Sequence, residues 1–183
     1  MKSFKVAIVC ALLSEAESLI ENFGLKISSK KPFLIFENDK ISLIISGMGK
    51  INSAVAASFI LQQKNFTKIL NIGICASKKK EDLYKIFQIK GVIDISSSKK
   101  YILKKEGEII STLDKPLSNP SIIPSVLADM ESSGFLNAAK KFIPSKEIEI
   151  LKIVSDNFDE KIPEKEFVKE LIRSHIKKIE EFL

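Results

Sequence analysis

Glu15, Glu131 and Asp156 each stand just past a short apolar run, the kind of position where side chains from separate strands of an α/β sheet meet. Carboxyl groups gathered there can divide acid and base work, one holding a proton for a leaving group and another taking one from a nucleophile. Asp129 and Ser155 lie beside two of them, and a fourth strand end, Ser46-Gly47-Met48-Gly49-Lys50, is a glycine turn leading into a helix. Each feature also has a purely structural reading. Glu15 and Glu131 open helices, where the dipole favours a carboxylate, and Asp156 can close an Asx-turn. The Gly-x-Gly lacks both the third glycine of a dinucleotide fingerprint and the spacing of a P-loop. Met48 and Met130 are ordinary core filler. Convergence separates the two readings, because three scattered carboxylates would be caps and three gathered ones a site.

Composition narrows the setting. The chain has 183 residues, expected to form one domain over 1–183, with 45% hydrophobic and 28% charged residues, as in a soluble globular protein. The net charge of +6 invites a nucleic-acid reading, but Arg173 is the only arginine, whereas base and phosphate recognition favours the guanidinium fork. The lysine pairs and triplets fall in polar stretches that read as solvated loops, so no nucleic-acid partner is expected. Cys10 and Cys75 sit in apolar surroundings with no Cys-x-x-Cys, and read as buried free thiols rather than metal ligands. His175, the only histidine, lies far along a C-terminal amphipathic segment, which disfavours Ser/His/Asp and Cys/His catalysis. The basic start before the apolar run 6–13 imitates a signal peptide, but Glu15 and Glu17 follow at once. That run falls far short of the roughly 20 residues that span a bilayer, so a cytoplasmic protein with no membrane partner is expected.

The elements that must position the carboxylates follow from apolar patterning. Residues 6–12 read as a strand buried on both faces, followed by a helix capped by Ser14 with Glu17 completing a capping box and Gly24 as its stop. Residues 33–37 and 41–46 read as a hairpin across Asn38-Asp39-Lys40, and 51–63 as a helix. Strands are predicted over 69–75, 88–96, 101–103, 108–111, 126–130 and 148–154, and helices over 131–142 and 164–183. The stretch 113–125 carries Pro116, Pro120 and Pro124 and reads as a restricted loop. Alternating strands and helices predict an α/β fold, three αβα layers around a mixed central sheet.

In chain order these segments resemble the nucleoside phosphorylase and nucleosidase superfamily, and most closely the methylthioadenosine/S-adenosylhomocysteine nucleosidases. Residues 6–15 resemble that family's first strand with its A-[LM]-x-x-E ending, and 46–50 its S-G-x-G-K turn. Asn71-Ile72-Gly73 is similar to its N-x-G strand end, Asp129-Met130-Glu131 to its E-M-E segment, and Ser155-Asp156 matches its S-D pair. The resemblance covers most of the chain and implies a phosphorylase/hydrolase-like fold, a purine nucleoside as the small-molecule partner, a homodimer, and no metal or organic cofactor. Carried over by position, it implies that Asp156 protonates the leaving purine at N7, that Glu15 holds and activates the attacking water, and that Glu131 binds ribose hydroxyls. Leu12, Met48, Met130 and Phe167 fall where the family lines its pocket for the 5′-substituent. Ser155 and Asp129 complete the expected substrate-binding set.

Cleaving an N-glycosidic bond through an oxocarbenium-like transition state calls for two carboxyl groups in different protonation states. Glu15 is accordingly expected to stay ionised in the more polar setting. Phosphorolysis is the alternative, with Lys50 as the point charge, but the only arginine is on the last helix and water is favoured as nucleophile. A contracted, non-catalytic nucleoside-binding module is the other alternative. The chain is shorter than typical relatives, with the shortening between 96 and 126, and the loop 113–125 contains no aromatic residue. Ile74-Cys75-Ala76-Ser77-Lys78 stands where the family has a small S-A-G-G ending.

Overall fold

In the computed structural model, residues 5–117, 119–159, 161 and 163–183 are described, so the start of the signal-like segment, residues 1–4, lies outside the described residues. The chain runs β1 (Val6–Cys10), α1 (Leu13–Phe23), β2 (Lys26–Ser29), β3 (Leu34–Glu37), β4 (Ile41–Ile45), α2 (Lys50–Gln63), β5 (Lys68–Ser77), β6 (Ile86–Asp94), β7 (Lys99–Ile102), β8 (Glu108–Thr112), β9 (Leu127–Asp129), α3 (Ser132–Ala139), β10 (Ile148–Asp156), α4 (Lys165–Ser174) and α5 (Ile176–Glu180).

β4, β1, β5 and β10 pair in parallel in that order, and β3 and β2 extend one edge antiparallel. β5 also pairs antiparallel with β9, β9 parallel with β8, β8 parallel with β6, and β6 antiparallel with β10. The sheet therefore curls back on itself, closing a ring through β5, β9, β8, β6 and β10. β6 serves three neighbours: its first residues, Ile86 to Gln88, pair with β10, its later ones, Gly91 to Asp94, pair antiparallel with β7, and Ile89 to Asp94 pair with β8 across a register shift between Ile89 and Gly91. A Cβ at Gly91 would stand 3.1 Å from the Tyr101 carbonyl oxygen, a tight contact that glycine avoids at this irregularity.

Side chains alternate across each strand, and both faces of the sheet are covered. Ala7, Val9 and Ile69 face one layer with Ala56, Ala57 and Ile60 of α2 and Phe135, Leu136 and Ala139 of α3. Ile8, Leu70, Ile72 and Leu151 face the other with Ala16 and Leu19 of α1, Val168, Leu171 and Ile172 of α4, and Ile179 of α5. This is the three-layer αβα arrangement with a mixed sheet that the sequence predicts, and double coverage explains why β1 reads as an unbroken apolar run.

Two local expectations are corrected, and one strand is added. α1 begins at Leu13 with Leu12 at the cap, and Ser14 is buried within the helix. The amide groups of Ala11 and Leu12 donate instead to Glu15 Oε2, both at 2.9 Å, which removes the need for a serine cap. The predicted helix 164–183 is two helices broken at His175, whose Nε2 lies 2.7 Å from the Tyr84 carbonyl oxygen; the break turns Ile179 into the core. β2 was not predicted, since this short, exposed edge strand shows no apolar alternation. The loop 113–125 is irregular apart from a 3₁₀ turn at Pro120–Ile122, with Ser118 outside the described residues. Lys50 Nζ holds Asp114 Oδ1 at 2.9 Å near its start, and Lys78 Nζ donates to the Ile123 carbonyl at 2.6 Å near its end. No helix among the described residues is long and apolar enough to cross a membrane.

Candidate active site

The glycine turn is built against the end of β1. Ser46 N–H donates to the Cys10 carbonyl and Gly47 N–H to that of Ala11, at 2.9 and 3.0 Å. Gly47 and Gly49 take φ values of +82° and +97°, which L side chains rarely adopt. Gly49 N–H then donates to Glu131 Oε1 at 2.9 Å, so the turn and the end of β9 lock together. Behind them α2 and α3 touch backbone to backbone, and a Cβ at Gly134 would lie only 1.8 Å from the Lys50 carbonyl oxygen.

Glu15 lies on the first turn of α1 yet is only 3% exposed. Beyond the Ala11 and Leu12 amides on Oε2, its Oε1 accepts the Ile74 N–H of β5 at 3.0 Å. Burial raises its pKa, opposed by Lys152 and by the three amides. The expectation of an open, polar setting is thus wrong: desolvation outweighs the hydrogen bonds, and the group is held dry and preorganised.

Lys152 is a functional candidate that the sequence reading missed. It points into the protein from the middle of β10, wholly buried, with Nζ 2.9 Å from Asp129 Oδ2 and 3.8 Å from Glu131 Oε2. A Cβ at Gly73 would stand 2.7 Å from Glu15 Oε1 and 3.4 Å from Lys152 Nζ, so the bare backbone of β5 is what admits both groups. Burial by itself would lower the lysine pKa, but Asp129, Glu131 and Glu15 outweigh it and raise it. Three carboxylates against one ammonium leave excess negative charge in a dry place. Glu131 accordingly is pushed up to about 7, by burial first and also by its acidic neighbours Asp129 and Glu15, against the pull of Lys152 and the Gly49 amide. A lysine interrupting the short apolar run Ile-Leu-Lys-Ile-Val was the signal available in the sequence.

Asp156 ends β10, half-buried. Its Oδ1 accepts the Phe158 and Asp159 amides at 2.9 and 3.3 Å, and its Oδ2 the Ser155 hydroxyl at 2.6 Å. The turn-closing role is therefore real, and it fixes the carboxylate in place.

The three carboxylates converge. Glu15, Glu131 and Asp156 all line one cavity of about 380 Å³, with Leu12, Met48, Met130 and Ser155 also in its wall. Asp129 reaches it too, but its carboxylate is fully buried, facing Lys152, Thr112 and Ser132 rather than open space. Phe167 does not line this cavity. It borders a neighbouring recess of about 290 Å³ that shares Ser155 and Asp156, and its ring meets that of Tyr84 edge-on. Lys50, the point charge of the phosphorolysis alternative, has its ammonium engaged by Asp94 Oδ2 at 3.2 Å and Asp114 Oδ1 at 2.9 Å. Cys10 and Cys75 are free and buried, and burial raises both thiols.

No protein-family model matches the sequence, and no curated protein is significantly similar to it. Solved structures are similar in fold. The 5′-methylthioadenosine/S-adenosylhomocysteine nucleosidase of Helicobacter pylori superposes with a TM-score of 0.79 at 16% identity, over 100% of this chain and 98% of that one. The 5′-methylthioadenosine nucleosidase of Arabidopsis thaliana gives 0.82 at 18%, over 100% and 96%. The futalosine hydrolase of Helicobacter pylori gives 0.78 at 16%, over 98% and 97%. At such identities the likeness speaks to architecture, and the chain has the α/β fold shared by these nucleosidases and futalosine hydrolase.

Proposed function

We propose that the protein hydrolyses the N-glycosidic bond of purine nucleosides, releasing adenine from methylthioadenosine or S-adenosylhomocysteine-like substrates. The observation that carries this reading is the convergence of Glu15, Glu131 and Asp156 on one cavity. Asp156 gives its proton to the departing base as the C–N bond breaks. Glu15 takes a proton from the water whose oxygen bonds to the anomeric carbon, so water is consumed and both proton transfers balance. Glu131 accepts hydrogen bonds from ribose hydroxyls, and Leu12, Met48 and Met130 offer soft apolar contact to an alkylthio group. Lys152 holds the charge of Glu131 and Glu15 beneath the sugar.

Water is preferred to phosphate because the ammonium groups of Lys50 and Lys152 are already held by carboxylates. In this proposal residues 1–183 act as one cytoplasmic unit. A homodimer accords with the exposed apolar Ile51 and Val55 of α2 and Met48 of the turn before it. The test is adenine release from methylthioadenosine and S-adenosylhomocysteine, with and without phosphate. Release should be phosphate-independent and fall by roughly 100-fold or more in Asp156→Asn. No base release above that variant across a purine nucleoside panel would overturn the proposal and leave a non-catalytic binding module.

A further inference from the structure

Phe158 is the single aromatic side chain that lines the 380 Å³ cavity among the described residues. It is 8% exposed, and it packs with Ile123, Ala128, Leu113 and Leu117, so the irregular loop after β8 backs it. Its backbone lies in the left-handed region at φ +66°, where a bulky aromatic residue is an outlier. What holds it there is the general-acid candidate itself, since Asp156 Oδ1 accepts the Phe158 and Asp159 amides. One turn thus fixes an aromatic ring and a carboxylate side by side. Ala76, Leu113, Leu117 and Ala128, which pack with the ring, also line the cavity, as do the polar Asp159 and Lys161 that follow Phe158 in the chain. Such a slot suits a flat, uncharged heterocycle lying on the ring with its edge toward a hydrogen-bonding group.

We propose that Phe158 is the specificity-determining contact for the leaving base, stacking on it and bringing its edge to Asp156. The inference rests on the nucleosidase reading for its substrate class, but it concerns base binding and is tested without turnover. The ring supplies, from the turn after β10, the aromatic surface that the loop 113–125 lacks.

The probe is adenine itself, titrated by calorimetry into wild-type protein, Phe158→Leu and Phe158→Tyr, each checked for a native thermal transition. Phe158→Leu should weaken adenine binding by roughly tenfold or more, as loss of one base–aromatic stack does, and Phe158→Tyr should restore most of it. In the wild-type complex, adenine protons should show nuclear Overhauser contacts to a phenylalanine ring, a readout that does not depend on any variant folding. Equal binding by wild type and Phe158→Leu, tighter binding by Phe158→Leu, no adenine binding at all, or adenine bound without aromatic contacts would overturn the proposal. If wild type binds adenine through Phe158 yet releases no base from nucleosides, the hydrolase reading fails while this one stands. If it hydrolyses nucleosides and Phe158→Leu binds adenine equally well, the reverse holds.

Discussion

At the residue scale the site is governed by one buried cation. Lys152 is surrounded by Asp129, Glu131 and Glu15, and its ammonium offsets the negative charge that they carry in a dry interior. Removing one partner of such a group costs about 3–5 kcal/mol because the remaining charge stays buried. Lys152→Met should therefore lower unfolding stability by roughly that amount in urea titrations at neutral pH. It should also slow base release, because Glu15 loses the charge that favours its ionised form. Unchanged stability would mean that the carboxylates are neutral in the native protein. Gly73→Ala offers a complementary test. Its Cβ would crowd Glu15 Oε1 at 2.7 Å, so activity should fall further than stability does. Glu15 and Asp156 were legible as candidates from their place after apolar strands. Lys152 was not, because a lysine within a strand acquires meaning only from what surrounds it in three dimensions.

At the scale of elements the glycine turn and the α2–α3 contact hold the site together. The turn delivers an amide to Glu131, and α3 starts immediately after that residue. Gly134→Ala would place a methyl group 1.8 Å from a backbone carbonyl, a clash that no rotamer relieves. It should destabilise by about 3 kcal/mol or more, above the usual overpacking range. A parallel loss of the Glu131 environment should show as weakened nucleoside binding, whereas a melting temperature like wild type would exclude this contact as a structural hinge point. Most elements here were legible, since apolar runs and breakers are local signals. β2 was not, being a polar edge strand stabilised by pairing with β3. The break at His175 was not either, since the partner that holds it, the Tyr84 carbonyl, lies far away in sequence.

For the whole molecule the buried acids tie folding to pH. Glu131 has a native pKa of about 7 against an ordinary 4.5, so the native state holds a proton that the unfolded chain has released between those values. Stability contributed by this proton is present below pH 4.5 and is lost as pH rises toward 7. Thermal melts across that window should show falling stability that Glu131→Gln flattens, and the opposite slope would contradict the burial assigned to the group. Assembly is a second property at this scale. Sedimentation should read a dimer, and Ile51→Lys should give monomers if α2 forms the contact, Ile51 being 75% exposed. The sequence by itself determined most of the strand, turn and helix order, the buried character of β1, and the presence of carboxylates after strand ends. These follow from side-chain periodicity and backbone preference, which act over a few residues. Only the tertiary structure decided that the three carboxylates share one cavity, that Lys152 lies beneath them, that Lys50 is engaged by Asp94 and Asp114, and that Phe158 faces the same space. Those facts depend on β5, β9 and β10 being brought together by the closing sheet, and on desolvation, which no residue carries in its own identity.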